Sequence, residues 1–192
     1  MATRGVIGVV LSRKPLRWIG VYNHYDSYPE MTLKTLLEEV LPDCDWDIMK
    51  AIESVILEHP GGWSHLYRGP AIVPDPTRTS GFRYDETANE PVCYCHNEYF
   101  MKRDGFTSGL RWGCECQDGN PEPSCDPLLL EWLYLFDVGK NTLLILASRE
   151  CPDAASHYRH EVIAEIPIKK GMRVNYKKLE QKRWQKGEDR NA

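Results

Sequence analysis

Five cysteines and a histidine fall inside one short window of this chain: Cys93-Tyr94-Cys95-His96, then Cys114-Glu115-Cys116, then Cys125. No other feature restricts the fold as much. The window is poor in apolar residues and rich in Gly, Pro, Asn and Asp, so it cannot build a core of its own. Thiolate and imidazole hold zinc tetrahedrally, and an ion so bound supplies folding energy to such a segment. Seven cysteines in all is an odd number, which does not suit a fully paired disulfide framework. The opening Met1-Ala2-Thr3-Arg4-Gly5 lacks the apolar stretch of a secretory signal. A reducing cytoplasm is therefore expected, and there metal is favoured over disulfides. The expected ligands of a closed, structural zinc site are Cys93, Cys95, Cys114 and Cys116, with His96 and Cys125 as spare or alternative ligands.

Around this window the apolar pattern alternates between strand and helix periods. The runs Gly5 to Leu11 and Arg17 to Tyr22, joined by Ser12-Arg13-Lys14-Pro15, read as a hairpin. Ser27 and Glu30 have capping-box spacing before Leu33, Leu36, Leu37, Val40 and Leu41, one face of a helix that Pro42 ends. Asp43 or Asp45 can cap a second helix, with Ile48, Ile52, Val55 and Ile56 on one side, which His59-Pro60-Gly61-Gly62 stops. From Trp63 to about Leu128 no period is visible, and so long a loop needs another constraint, which the cysteines supply. Trp132 to Asp137 and Thr142 to Ser148 read as strands about the turn Val138-Gly139-Lys140-Asn141, and Glu161 to Ile168 as one more. The expected class is α+β: a mainly antiparallel sheet of about five strands, two amphipathic helices on one face, and a Cys-rich excursion. Residues 1–168 make one domain with its insertion at about 90–126, and 169–192 a basic tail with a frayed helix from about Asn175. No stretch approaches the about 20 apolar residues of a membrane helix.

The net charge of −4 is unevenly spread. Lys169 to Ala192 carries nine basic and three acidic residues, +6, which leaves −10 for the rest. Such a tail either folds against the acidic body or offers nucleic acid a contact.

Two stretches resemble known sequences. The start Thr3-Arg4-Gly5 followed by Tyr22-Asn23-His24-Tyr25-Asp26-Ser27-Tyr28-Pro29-Glu30 is similar to a poorly characterised family of bacteriophage and bacterial proteins. These have a strand and then a Tyr-x-His-x-Asp-x-Tyr signature before the first helix. Glu131-Trp132-Leu133-Tyr134-Leu135-Phe136-Asp137 with Asn141-Thr142-Leu143 resembles a second block of that group. The Gly-Leu-Gly usual after Pro-Glu is replaced by Met31-Thr32-Leu33. The resemblance implies a bacterial or infected host cell and names no chemistry.

Several residues could carry a reaction. His24 and Asp26, two apart at a strand-to-helix corner, could act as a general base and its carboxylate, or form a polar network that fixes the corner. Thr3 suits an N-terminal nucleophile, but removal of Met1 would expose Ala2, which has none. Cys44 between Asp43 and Asp45 is a poor thiolate. Cys151 with His157 and His160 could form a second metal group. His96-Asn97-Glu98 matches half of a deaminase signature, whose Cys-x-x-Cys is missing. The expected function is a non-enzymatic, zinc-stabilised binding protein. Its partner would be a protein recognised through Trp63, Tyr67, Phe100 and Trp112, with nucleic acid through the tail as a further possibility. The alternative is a small hydrolase working through His24 and Asp26.

Overall fold

The computed structural model describes residues 3–75, 77–79, 82–87, 89–95, 110–114, 130–150 and 158–184. Ten strands follow in chain order: β1 (Gly5–Arg13), β2 (Leu16–Asn23), β3 (Trp63–His65), β4 (Ala71–Pro74), β5 (Phe82–Asp85), β6 (Val92–Cys93), β7 (Leu110–Cys114), β8 (Trp132–Asp137), β9 (Thr142–Glu150) and β10 (Tyr158–Pro167). Among the described residues three helical runs accompany them: α1 over 29–43, α2 over 48–57, and α3 (Tyr176–Trp184). The class is mixed α+β. Seven strands lie in the order β10-β9-β8-β1-β2-β3-β6, and β7 also pairs with β2, while β4 and β5 form a separate two-stranded sheet.

The hairpins β1–β2 and β8–β9 form as expected, each antiparallel. The count of five strands is too low, because β3, β6 and β7 join the same sheet from the stretch that shows no period. They are short, and backbone pairing along β2 and β3 holds them without any alternating apolar pattern. The sheet is mainly antiparallel, as expected, with two parallel joints. β1 pairs with β8 in parallel from Gly5↔Trp132 to Val9↔Phe136, and β2 meets β3 in parallel at Asn23↔Trp63. All six residues of β8 are buried, as a central strand covered on both faces requires.

One face of the sheet presents Ile7, Val21, Trp132, Tyr134, Phe136, Leu143 and Ile145 to Leu33, Leu36, Leu37 and Leu41 of α1 and to Ile48, Ile52, Val55 and Ile56 of α2. Each such side chain contributes about 1.5–3 kcal/mol when fully buried. The other face buries Val6, Trp18, Leu133, Leu135, Leu144 and Leu146. Helix starts differ from expectation. Tyr28 stands at the α1 N-cap without a side-chain cap, so Ser27 and Glu30 make no capping box. Ser27 instead belongs to a buried network in which Asn23 Nδ2 donates to its Oγ at 2.7 Å and Tyr134 Oη donates to its carbonyl at 2.6 Å. The cap of α2 is Asp47, not Asp43 or Asp45: its Oδ1 accepts from Met49 N (2.8 Å) and Lys50 N (3.3 Å).

The basic tail docks on the body. Asn175 Oδ1 caps α3 through Lys178 N at 2.9 Å, and Leu179 is 7% exposed in the main core. Met172, Val174 and Tyr176 pack beside it. Arg183 bonds Glu131 Oε2 (2.5 Å) and Ser148 O (3.3 Å), and lies over the Trp132 ring at 5.9 Å. Of the two options the charge left open, the tail takes the fold against the body, through apolar residues that are few and spaced among lysines.

Candidate metal centre

The centre is assembled where α2 ends and β6 begins. The turn after α2 closes with Gly62 N donating to His59 O at 2.8 Å. Gly62 has φ +80, and a Cβ there would meet Tyr22 O at 2.6 Å, so only glycine fits. A Cβ on Gly61 would lie 3.1 Å from Cys95 N and 3.2 Å from Cys95 Cβ. These two glycines let the chain beyond β6 press onto the turn, and Tyr94 N donates to Gly62 O at 2.9 Å. Trp63 fixes the other side: its Nε1 donates to Val55 O (2.9 Å), and the His59 ring rests 4.1 Å from the indole.

The outcome is a group of three ligand-type side chains. The ligand atoms of His59, Cys93 and Cys95 all lie within 4.8 Å of one another, with Cys95 Sγ 3.8 Å from His59 Nδ1. Cys93 is buried, and the other two are half-buried. Two thiolates and an imidazole could hold a metal ion. The donor set is the soft one that suits zinc, copper(I) or iron–sulfur chemistry and does not suit magnesium or calcium.

This differs from the set the cysteine spacing suggests. Cys93 and Cys95 come together, but their third companion is His59, which that spacing could not name. The local signal was its place before Gly61-Gly62, a pair that permits close chain approach. Cys114 pairs across to Arg17, whereas Cys93 reaches β2 through Trp63 at Asn23. Six residues of strand separate those points, about 20 Å at 3.3 Å per residue, several times the reach of a cysteine side chain. His96, Cys116 and Cys125 lie outside the described residues, as do Phe100, Cys151, His157 and the His96-Asn97-Glu98 stretch. His160 Nε2 is engaged 2.6 Å from Leu130 O.

His24 and Asp26 are turned to different tyrosines. His24 Nδ1 lies 2.7 Å from Tyr94 Oη, and its ring stacks on Tyr25 at 4.2 Å. Burial, and then the nearby Arg4 charge, hold the imidazole below its ordinary pKa. Asp26, at φ 54, accepts from Tyr67 Oη at 2.9 Å through Oδ2. Tyr28 is pushed up to about 12, first by burial and then by Asp26. Among the described residues His24 and Asp26 make no hydrogen bond to each other. The hydroxyl of Tyr94 points to His24, while Cys93 and Cys95 on either side pack with the helix-covered core. Cys44 stands apart, its thiol pushed up by burial and then by Asp43. Trp63 and Tyr67 are 6% and 4% exposed, so these two aromatics serve the interior and not a recognition surface.

Comparison with known protein families, with curated proteins and with solved structures found no match, so the site is read from its own chemistry. No helix among the described residues is long and apolar enough to cross a membrane.

Proposed function

We propose that the chain is a zinc-stapled binding protein that acts by engaging a macromolecular partner in a reducing cytoplasm, bacterial or of an infected host. The observation that carries this reading is the convergence of His59, Cys93 and Cys95 from two distant segments. An ion held there would clamp the end of α2 to the edge of the sheet, just where the chain leaves β6. Loop segments braced on a rigid scaffold are where binding function concentrates. A likeness to the phage and bacterial group fits this compartment. The hydrolase alternative draws support from the neutral, oriented imidazole of His24, but Asp26 would have to leave Tyr67 to serve it.

Metal analysis tests the reading. Protein purified under reducing conditions should carry about one zinc per chain. His59→Ala and Cys95→Ala should lose it, while Cys44→Ala keeps it. Metal-free parent protein that also fails to take up added zinc would refute the staple.

A further inference from the structure

The segment from Lys169 to Lys178 reads Lys-Lys-Gly-Met-Arg-Val-Asn-Tyr-Lys-Lys, five cations with no acid. The fold sorts these side chains. Met172, Val174 and Tyr176 turn in against the core, and Tyr176 Oη donates to Glu38 Oε1 at 2.8 Å. Lys169, Lys170, Arg173, Lys177 and Lys178 are all exposed. Among the described residues one ion pair involves them, Lys177 with Glu30 at 3.9 Å, and both of its members are solvated. The inner cations, Lys182 and Arg183, are by contrast spent on Ile163 O and on Glu131. The strap therefore does not neutralise itself against the acidic body. It holds five exposed cations on a backbone anchored from beneath by its own apolar residues.

We propose that this strap is a docking surface for the phosphate backbone of double-stranded nucleic acid. Phosphate contacts by Lys and Arg need no base-reading element, and a strap docked through Met172, Val174 and Tyr176 gathers the charges on one segment before binding. Single-strand binders use exposed aromatic platforms, and here the strap's Tyr176 is tucked in and bonded to Glu38. Membrane-surface segments insert apolar side chains between their cations, and here those side chains face the core. The proposal deepens the binding-protein reading and rests on it only in naming the partner.

Full-length protein of measured zinc content is titrated against a fluorescein-labelled 20-base-pair duplex of arbitrary sequence, read by polarisation. With about four phosphates engaged, affinity should fall roughly 150-fold between 50 and 200 mM salt. The variant K170E/R173E/K177E should bind at least tenfold more weakly at 50 mM, with an unchanged melting midpoint. The neutral variant K170Q/R173Q/K177Q gives the same readout if charge reversal disturbs folding. Absence of duplex binding at 50 mM salt, or equal binding by folded variants, overturns the proposal. So does tighter binding to a single strand, or to phosphatidylserine vesicles. Zinc-loaded protein that ignores duplex sinks the strap and spares the staple. Zinc-free protein that binds duplex through the strap does the reverse.

Discussion

Withdrawing the ion from His59, Cys93 and Cys95 should lower the thermal midpoint by an amount that the fold itself sets. His59 and Cys95 are 36 positions apart in sequence. A cross-link closing a loop of that length removes unfolded-chain entropy worth about 4 kcal/mol in the chain-entropy account. Zinc at about a thousand times its dissociation constant supplies a similar amount, about 4.1 kcal/mol, by mass action. For a chain of this size each kcal/mol moves the midpoint about 2–4 °C, so chelation should cost about 8–16 °C. Calorimetric melts of the parent in zinc and in excess chelator measure the difference. His59→Ala in zinc should melt where the chelated parent does, and Cys44→Ala should show the full response. A parent response under about 2 °C, or one that survives in His59→Ala, would show that the three side chains do not share an ion.

Three other outcomes follow from the fold. Leu179→Ala should cost about 2–3 kcal/mol in urea melts, as truncation of a core leucine does, while Lys178→Ala stays within about 0.5 kcal/mol; equal effects would mean that α3 is not docked. Tyr67→Phe removes one of the two hydroxyls that serve the Asp26 carboxylate, the other being that of Tyr28, and should cost about 1–3 kcal/mol, whereas an unchanged denaturation midpoint would assign the Tyr67 hydroxyl to Pro70 O alone. His24 and His65 are both held below the ordinary imidazole range, chiefly by burial. The unfolded chain then takes up protons near pH 6.5 that the fold refuses, so chelated protein should lose stability from about pH 7 to pH 5. A flat profile across that window would mean that both rings protonate as freely folded as unfolded.

What the sequence displayed was local. Val138-Gly139-Lys140-Asn141 announces the β8–β9 hairpin because turn chemistry is encoded where the turn is. The spacing of Leu33, Leu36, Leu37 and Leu41 announces α1 for the same reason. Lateral neighbours are not encoded that way. Nothing near Gly5 says that Trp132 will lie beside it, although the unbroken apolar run Trp132 to Phe136 was the mark of a strand covered on both faces. β6 spans two residues and pairs with β3, so no periodicity could expose it. His59 was invisible as a ligand because cysteine spacing speaks only of close neighbours, and α2 brings the imidazole in from the far side. Charge left the tail two options, docking on the body or contact with an anion, and Met172, Val174, Tyr176 and Leu179 carry the docking signal between the lysines.

The parallel joint between β1 and β8 also sets an order of events during synthesis. Of the strands of this sheet β1 is made before the others and is a central one, and its second neighbour begins at Trp132. At roughly 5–20 residues per second, about 6–25 s pass before that neighbour exists. Throughout that interval the β1 edge of the β1–β2 hairpin is unpaired, and α1 and α2 lack the part of their apolar floor that Trp132, Tyr134, Phe136, Leu143 and Ile145 will provide. The sheet is therefore most open to wrong pairing before β8 is made, and α3, made after β10, is the last described element to dock on it. Slowing elongation before residue 130 should raise the aggregated fraction, and a pause after it should not.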